Sequence, residues 1–301
     1  MAEAIQLGMA GTDWDSIAKA YLSSGWHVDA EARRSFAAVQ SKADMDAIAA
    51  AIRAAYLPWL EQQAQRVATW AAEYPNHSMS TARHQPAEAG TVYLFVDGLR
   101  TDVALDLAAM LERSGLTPAT TLAWAPLPTV TASGKSGWQP LAGVLSGEAF
   151  SEKFEPQIAE NGKALTTDGF RSRITNLGFV WFPDSENGDP SGCGWTETAD
   201  FDSRGYEEGA KLAWRIEEEL QAVRQRISEL LQSGWKKVVV VTDHGWLWLP
   251  GGLPKTDLPA HLTDSKWSRC AAMQPGAQHQ LPTAPWRSEE RRVGKECRSR
   301  W

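Results

Sequence analysis

The chain is 301 residues long, 43% hydrophobic and 22% charged, a composition that suits a folded protein and excludes a disordered one. A formal net charge of -7 argues against whole-surface attraction to nucleic acid or to an anionic membrane. It leaves a phosphorylated substrate open, because a bound metal reverses the sign locally.

No run approaches ~18 apolar residues, and no charged flank precedes an apolar run at the N-terminus, so neither a membrane helix nor a secretory signal is expected. Cys193, Cys270 and Cys297 are too few and too widely spaced for a disulfide framework or a CxxC metal site. A reduced, cytoplasmic setting is the expectation.

Residues 13–74 are rich in Ala, Leu, Glu, Gln and Arg, with apolar positions recurring at three and four. That spacing predicts helices, a short one over 28–39 and a longer one over 43–74, bent at Pro58 where a backbone donor is missing. A polar linker over 75–90 carries His77 and His84. TVYLFV at 91–96, bounded by Gly90 and the Asp97–Gly98 pair, predicts a buried strand. Helical spacing follows over 101–113, and short strands are expected at 121–124 and 179–182. Residues 205–232 predict the longest helix, its stripe running from Leu212 and Ile216 to Ile227 and Leu230. The β-branched run at 237–242 predicts another buried strand, closed by Asp243–His244–Gly245.

This alternation predicts an α/β fold, a mostly parallel sheet covered by helices and preceded by a helical segment. The chain divides into a helical segment with linker (1–90), a core (91–286) and a tail (287–301). The tail, RSEERRVGKECRSRW, holds six basic and three acidic residues, so the first 286 residues carry about -10. Its abrupt change of composition, and its resemblance to a recurrent foreign tail of translated assemblies, read as non-native sequence. Cys297 and Trp301 then carry no function.

In open parallel sheets, sites lie just past the carboxyl ends of strands. Asp97 stands at one such end, where an aspartate either caps the next helix or binds a cation. Thr101 and Asp102 offer alternative caps, which weakens the first role. Asp243 and His244 stand at a second end, and a carboxylate beside an imidazole suits Zn²⁺ or Mn²⁺ better than Mg²⁺. Between them, PLPTVTASGK at 126–135 is a proline-fixed loop with several hydroxyls, one of which a metal would activate as a nucleophile. Gly134–Lys135–Ser136 is no phosphate-binding loop, because position 129, where that motif needs glycine, is threonine. Glu197, Asp200, Asp202 and Glu207 precede the long helix, as first-turn acids or as ligands of a second cation.

YLFVDGLRTDVA, LPTVTASGK and VVVVTDHGWLWLPGGLPK, followed by KWSRC at 266–270, together resemble the PglZ family of the alkaline phosphatase superfamily over roughly 91–286. The resemblance implies an alkaline-phosphatase-like fold and a phosphohydrolase site with two divalent cations, most often zinc. It also implies a place in a bacterial antiphage system of the phage-growth-limitation or BREX kind. Expected partners are other proteins of that system and a phosphorylated substrate, nucleotide or nucleic acid among them.

Carried over by position, Asp97, Asp243 and His244 look like ligands of one cation, Asp202 like a ligand of the other, and Thr131, rather than Thr129, like the nucleophile. A phosphomutase-like transferase would use the same groups. The chain departs from the family at Tyr206, where a histidine is usual, and a phenol ligates zinc poorly at neutral pH. His261 and His279 do not match the histidine expected from a C-terminal strand. That histidine segment, and the last part of the fold, are expected beyond Trp286, towards which Trp246, Trp248, Trp267 and Trp286 would face. The second cation is then short of ligands and activity weak or absent, and a binding or scaffolding component with an incomplete site is the alternative.

Overall fold

The apolar run at 91–96 becomes a strand whose alternate side chains enter two different cores. In the computed structural model, which describes residues 13–73, 87–121, 124–125, 129–137, 141, 145–146, 154–252, 261, 263–267, 270–273, 284–285 and 296–299, this strand is β1 (Thr91–Asp97). Val92, Leu94 and Val96 face one side and Tyr93 and Phe95 the other, as the two-residue period of a strand requires.

The helical segment before it comprises α1 (Trp14–Ala20), a π-helical turn (Tyr21–Gly25), α2 (Trp26–Ala37) and α3 (Lys42–Glu73), which continues through Pro58. Asp13 caps α1 by accepting from the Ser16 N–H at 2.8 Å. After β1 come α4 (Thr101–Arg113), as its spacing predicts, and α5 (Thr131–Gly137). A short pair, β2 (Leu145–Ser146) and β3 (Gln157–Ile158), and α6 (Thr167–Asn176) lead to β4 (Phe179–Trp181) and β5 (Cys193–Asp200). α7 (Phe201–Glu208), a 3₁₀ turn (Gly209–Trp214), α8 (Ile216–Gln232) and β6 (Lys237–Val241) follow.

β4, β5, β1 and β6 form one sheet in that order, and each adjacent pair is parallel. The apolar stripe of α8, together with α4 and the helices before β1, covers the Val92–Val96 face. Phe170 and Ile174 of α6, with Leu141 and Trp195, cover the other. The result is three layers, helix on sheet on helix. The alternating strand–helix pattern thus gives a parallel α/β sheet. No helix of the described residues is long and apolar enough to cross a membrane.

Several readings from sequence need correction. Thr121 and Trp124 lie outside any strand, and the two residues between them fall outside the described set. The 205–232 helix is instead three pieces, broken first where Gly209 takes a φ of +58°, which a continuous helix cannot hold, and again at Arg215, between the 3₁₀ turn and α8. Glu197, expected as a first-turn acid or a ligand of a second cation, lies instead in a central strand over 193–200, whose polar sequence is offset by the complete burial of Trp195 and Thr196. Trp246 and Trp248 are buried in the core shared with the helices before β1, Trp248 edge-on to Phe36, rather than facing a further C-terminal part.

A second, antiparallel sheet joins β7 (Thr263–Trp267), β8 (Cys270–Met273), β9 (Ala284–Pro285) and β10 (Glu296–Ser299) in the order β7-β8-β10-β9. β10 therefore lies in the tail, where no strand-like run is legible, because backbone pairing needs no apolar pattern. His77, His84, His279 and Trp286 fall outside the described residues, and His261 is exposed.

Candidate metal centre

β1 and β6 pair in register from Thr91↔Lys237 to Phe95↔Val241, so their carboxyl ends finish side by side. Asp97 ends β1, and Asp243–His244 begins the turn two residues beyond β6. Ligand atoms of Asp97, Asp243 and His244 lie within 4.8 Å of one another, which makes this the one such group found among the described residues. His244 Nε2 is 3.7 Å from Asp97 Oδ1 and 3.5 Å from Asp243 Oδ2.

Gly98 turns the chain away at a φ of +70°, and the space a Cβ would fill is occupied by Asp202, whose backbone nitrogen would stand 2.7 Å from it. The two turns are tied together. Gly98 N–H donates to Asp243 Oδ1 (3.4 Å), Leu99 N–H to the Thr242 hydroxyl (3.1 Å), and that hydroxyl to the His244 carbonyl (3.2 Å). His244 N–H also donates to Asp243 Oδ1, at 2.9 Å.

Thr131 is the first residue of α5, a helix where sequence predicted only a loop. Gly134, one turn on, lets this helix lie against the second strand end: a Cβ there would be 2.8 Å from the Asp243 Cβ. The approach sets Thr131 Oγ1 at 3.0 Å from His244 Nε2 and 3.4 Å from both carboxylate oxygens of Asp97. His244 Nδ1 lies 3.0 Å from the Gly245 carbonyl. A carbonyl only accepts, so Nδ1 carries the proton and Nε2 presents its lone pair to the cluster. This is the tautomer a metal ligand needs, fixed by a backbone partner.

The electrostatics are those of a site lacking a positive charge. Burial, then the neighbouring Asp243, raises the Asp97 carboxyl to about 7, against the relief that His244 offers. Burial raises Asp243 to about 6 despite hydrogen bonds from the Gly98 and His244 backbone, with Asp202 adding to the rise. Among the described residues, Asp243 Oδ2 is buried without a hydrogen-bond partner, although its other oxygen accepts two. Such an orphaned oxygen in a protein interior calls for an explanation, and a cation supplies one. The donor set, two carboxylates and a neutral imidazole, fits Zn²⁺ or Mn²⁺.

The other predicted residues divide. Asp200 caps α7, accepting from the Ser203 N–H and hydroxyl at 2.8 and 2.7 Å. Asp202 lies in the first turn of α7 against Gly98, outside the three-residue group, and Tyr206 is 61% exposed. Lys135 is engaged elsewhere: its ammonium pairs with Glu197 at 2.7 Å and sits over the rings of Phe95 and Phe170. That accounts for the lysine of the Gly–Lys–Ser triplet without a nucleotide. Sequence reasoning missed Thr242 and Gly134, and the only signal for the latter was a glycine one turn after Thr131.

The fold and site thus define a parallel α/β sheet with an Asp–Asp–His cluster at its carboxyl edge that is capable of coordinating a metal ion. Comparison with protein-family models, with curated proteins and with solved structures finds no match to this chain.

Proposed function

We propose that the chain is a metal-dependent phosphohydrolase, acting on phosphomonoesters or phosphodiesters, with Thr131 as its nucleophile. Asp97, Asp243 and His244 would hold a divalent cation, zinc by donor type, and Asp202 would serve a second. The observation that carries the reading is the Thr131 hydroxyl at 3.0 Å from His244 Nε2 and 3.4 Å from Asp97, beside a buried carboxylate oxygen with no hydrogen-bond partner among the described residues.

A cation bound there supplies Lewis acidity, easing loss of the hydroxyl proton and offsetting charge on phosphorus. Thr131 Oγ1 would then give its proton to solvent and bond to phosphorus as the bond to the leaving oxygen breaks, the leaving oxygen taking a proton from solvent. Water cleaves the resulting phosphothreonine, releasing the phosphoryl product and restoring the hydroxyl. Gly134 and the Nδ1–H bond of His244 keep the hydroxyl and imidazole in place during both steps. The PglZ-like motifs support this reading and extend it to a bacterial antiphage system in the cytoplasm, with that system's proteins as partners. Its substrate would be phosphorylated, a nucleotide or nucleic acid included.

One observation favours a second reading, a binding or scaffolding module with an incomplete metal site: three ligands, fewer than two cations need, gather among the described residues. Assay of the chain with added zinc against aryl phosphomonoesters and phosphodiesters separates the two. The expected result is weak zinc-dependent turnover that Thr131→Ala and Asp243→Ala each abolish. Zinc binding without turnover favours the module. Turnover that ignores metal, or survives both substitutions, overturns the proposed chemistry.

A further inference from the structure

Three residues past Asp97, Arg100 leaves the site and enters the core. Its side chain is 10% exposed and holds four groups at once. Nε donates to Asp102 Oδ1 at 2.9 Å, and Nη2 lies 3.3 Å from Asp29 Oδ1. Nη1 donates to the Trp246 carbonyl at 3.4 Å, and the guanidinium sits 5.3 Å from the centre of the Trp246 ring. Gly245 is pressed so close that a Cβ would lie 3.0 Å from Arg100 Cγ. One side chain therefore touches both turns that carry the proposed ligands, 97–100 and 243–246.

Asp29, on α2, is itself held from two other directions. The hydroxyls of Tyr21, in the π-helical turn, and Tyr56, on α3, donate to its two oxygens. Two tyrosines of the segment before β1 thus converge on one carboxylate, and that carboxylate on one guanidinium. A planar fork with fixed directions transmits position better than a flexible ammonium does. Packing alone needs no such device, since apolar residues of matching volume hold helices together as well as a buried ion pair.

We infer that Arg100 is a positioning residue of the metal site, anchored by Asp29, Tyr21 and Tyr56, so that the helical segment before the sheet sets the geometry of Asp97, Asp243 and His244. The inference rests on the proposed site and adds a regulator of its shape: a movement of α2 or α3 alters metal binding without any contact to the metal.

The test compares the full chain with Asp29→Asn, Tyr56→Phe and Arg100→Lys, each checked for folding by circular dichroism and thermal melting. Two readouts apply. In the metal-free chain, amide hydrogen exchange is followed at Gly98, Leu99 and His244, with α8 as the internal control, alongside the ¹⁵N signals of the His244 ring. Zinc affinity is then measured against a chromophoric chelator. The expected result in Asp29→Asn is exchange at those three amides faster by roughly tenfold, unchanged exchange in α8, shifted His244 ring signals and roughly tenfold weaker zinc binding. Arg100→Lys should do the same, and Tyr56→Phe should do less. Variants that only lower the melting temperature, with the three amides, the ring signals and zinc affinity unchanged, overturn the inference. If Arg100→Lys fails to fold, Asp29→Asn and Tyr56→Phe decide the matter. Failure of the parent chain to bind zinc overturns the site reading instead, and the exchange data still decide whether Arg100 positions the turns.

Discussion

Asp97 and Asp102 stand five residues apart along the chain, and the buried surroundings of the two are solved in opposite ways. Asp102, fully buried on α4, faces the guanidinium groups of Arg33 and Arg100 at 3.1 and 2.9 Å, and these hold its carboxyl below the usual range against the cost of burial. Asp97 and Asp243 share the edge of the sheet, where burial, joined by repulsion from Asp243 on Asp97 and from Asp202 on Asp243, pushes them up to about 7 and about 6. The first group carries its counter-charge in the sequence. The second does not, and its charge balance is left to a cation from solution or to a proton. A buried acid matched by arginine is structural, and a buried acid left unmatched is where chemistry belongs.

The largest effect that would break this comparison is at the matched group. Arg33→Met removes the 3.1 Å partner of Asp102 and the 2.6 Å partner of Asp106. A loss of about 3 kcal/mol in urea unfolding is expected, since one ion of a buried pair is left uncompensated. A variant as stable as the parent would show that Arg100 alone satisfies Asp102.

The unmatched group should respond in the other direction. Its carboxyls titrate near 4 when unfolded and at about 7 and about 6 when folded, so between those values the folded state holds more protons. Stability from this group is therefore present at low pH and lost as pH rises from about 4 to about 7. In the metal-free chain, Asp97→Asn should raise stability at pH 8 on the order of 2 kcal/mol and have little effect at pH 4. Zinc binds only the deprotonated ligands, so excess zinc should stabilise the parent increasingly over the same pH range and Asp97→Asn much less. Urea titrations at pH 4, 6 and 8, with and without zinc, measure both. A parent whose stability difference from Asp97→Asn is independent of pH would refute the account.

The smallest effect concerns Lys135, a cation near the cluster but committed to Glu197 and two rings. Lys135→Met should cost about 1 kcal/mol, as expected for one half-buried pair with ring contacts, and leave zinc affinity unchanged. A large change in zinc affinity would mean that the lysine belongs to the site.

Legibility in the sequence followed locality. The strands at 91–96 and 237–242 and the helix at 101–113 were readable because apolar periodicity reports burial of a single element. Asp97, Asp243 and His244 were readable because polar residues stood at the ends of such strands. The strand at 193–200 was not, since CGWTETAD alternates weakly and its burial comes from neighbours on either side. Gly209 looked like one more position in a helix until its positive φ divided it.

The sequence by itself therefore determined the kinds of element and the donor atoms available at their ends, both consequences of short-range periodicity and residue chemistry. Tertiary structure alone decided that β5 enters between β4 and β1, that Thr131 reaches His244 across 113 residues, and that Arg100 joins both turns to Asp29. Those facts depend on the order of strands and the close approach of Gly134 and Gly245 to their neighbours. No local pattern encodes them, because contacts between distant residues are set only when the whole sheet has closed around them.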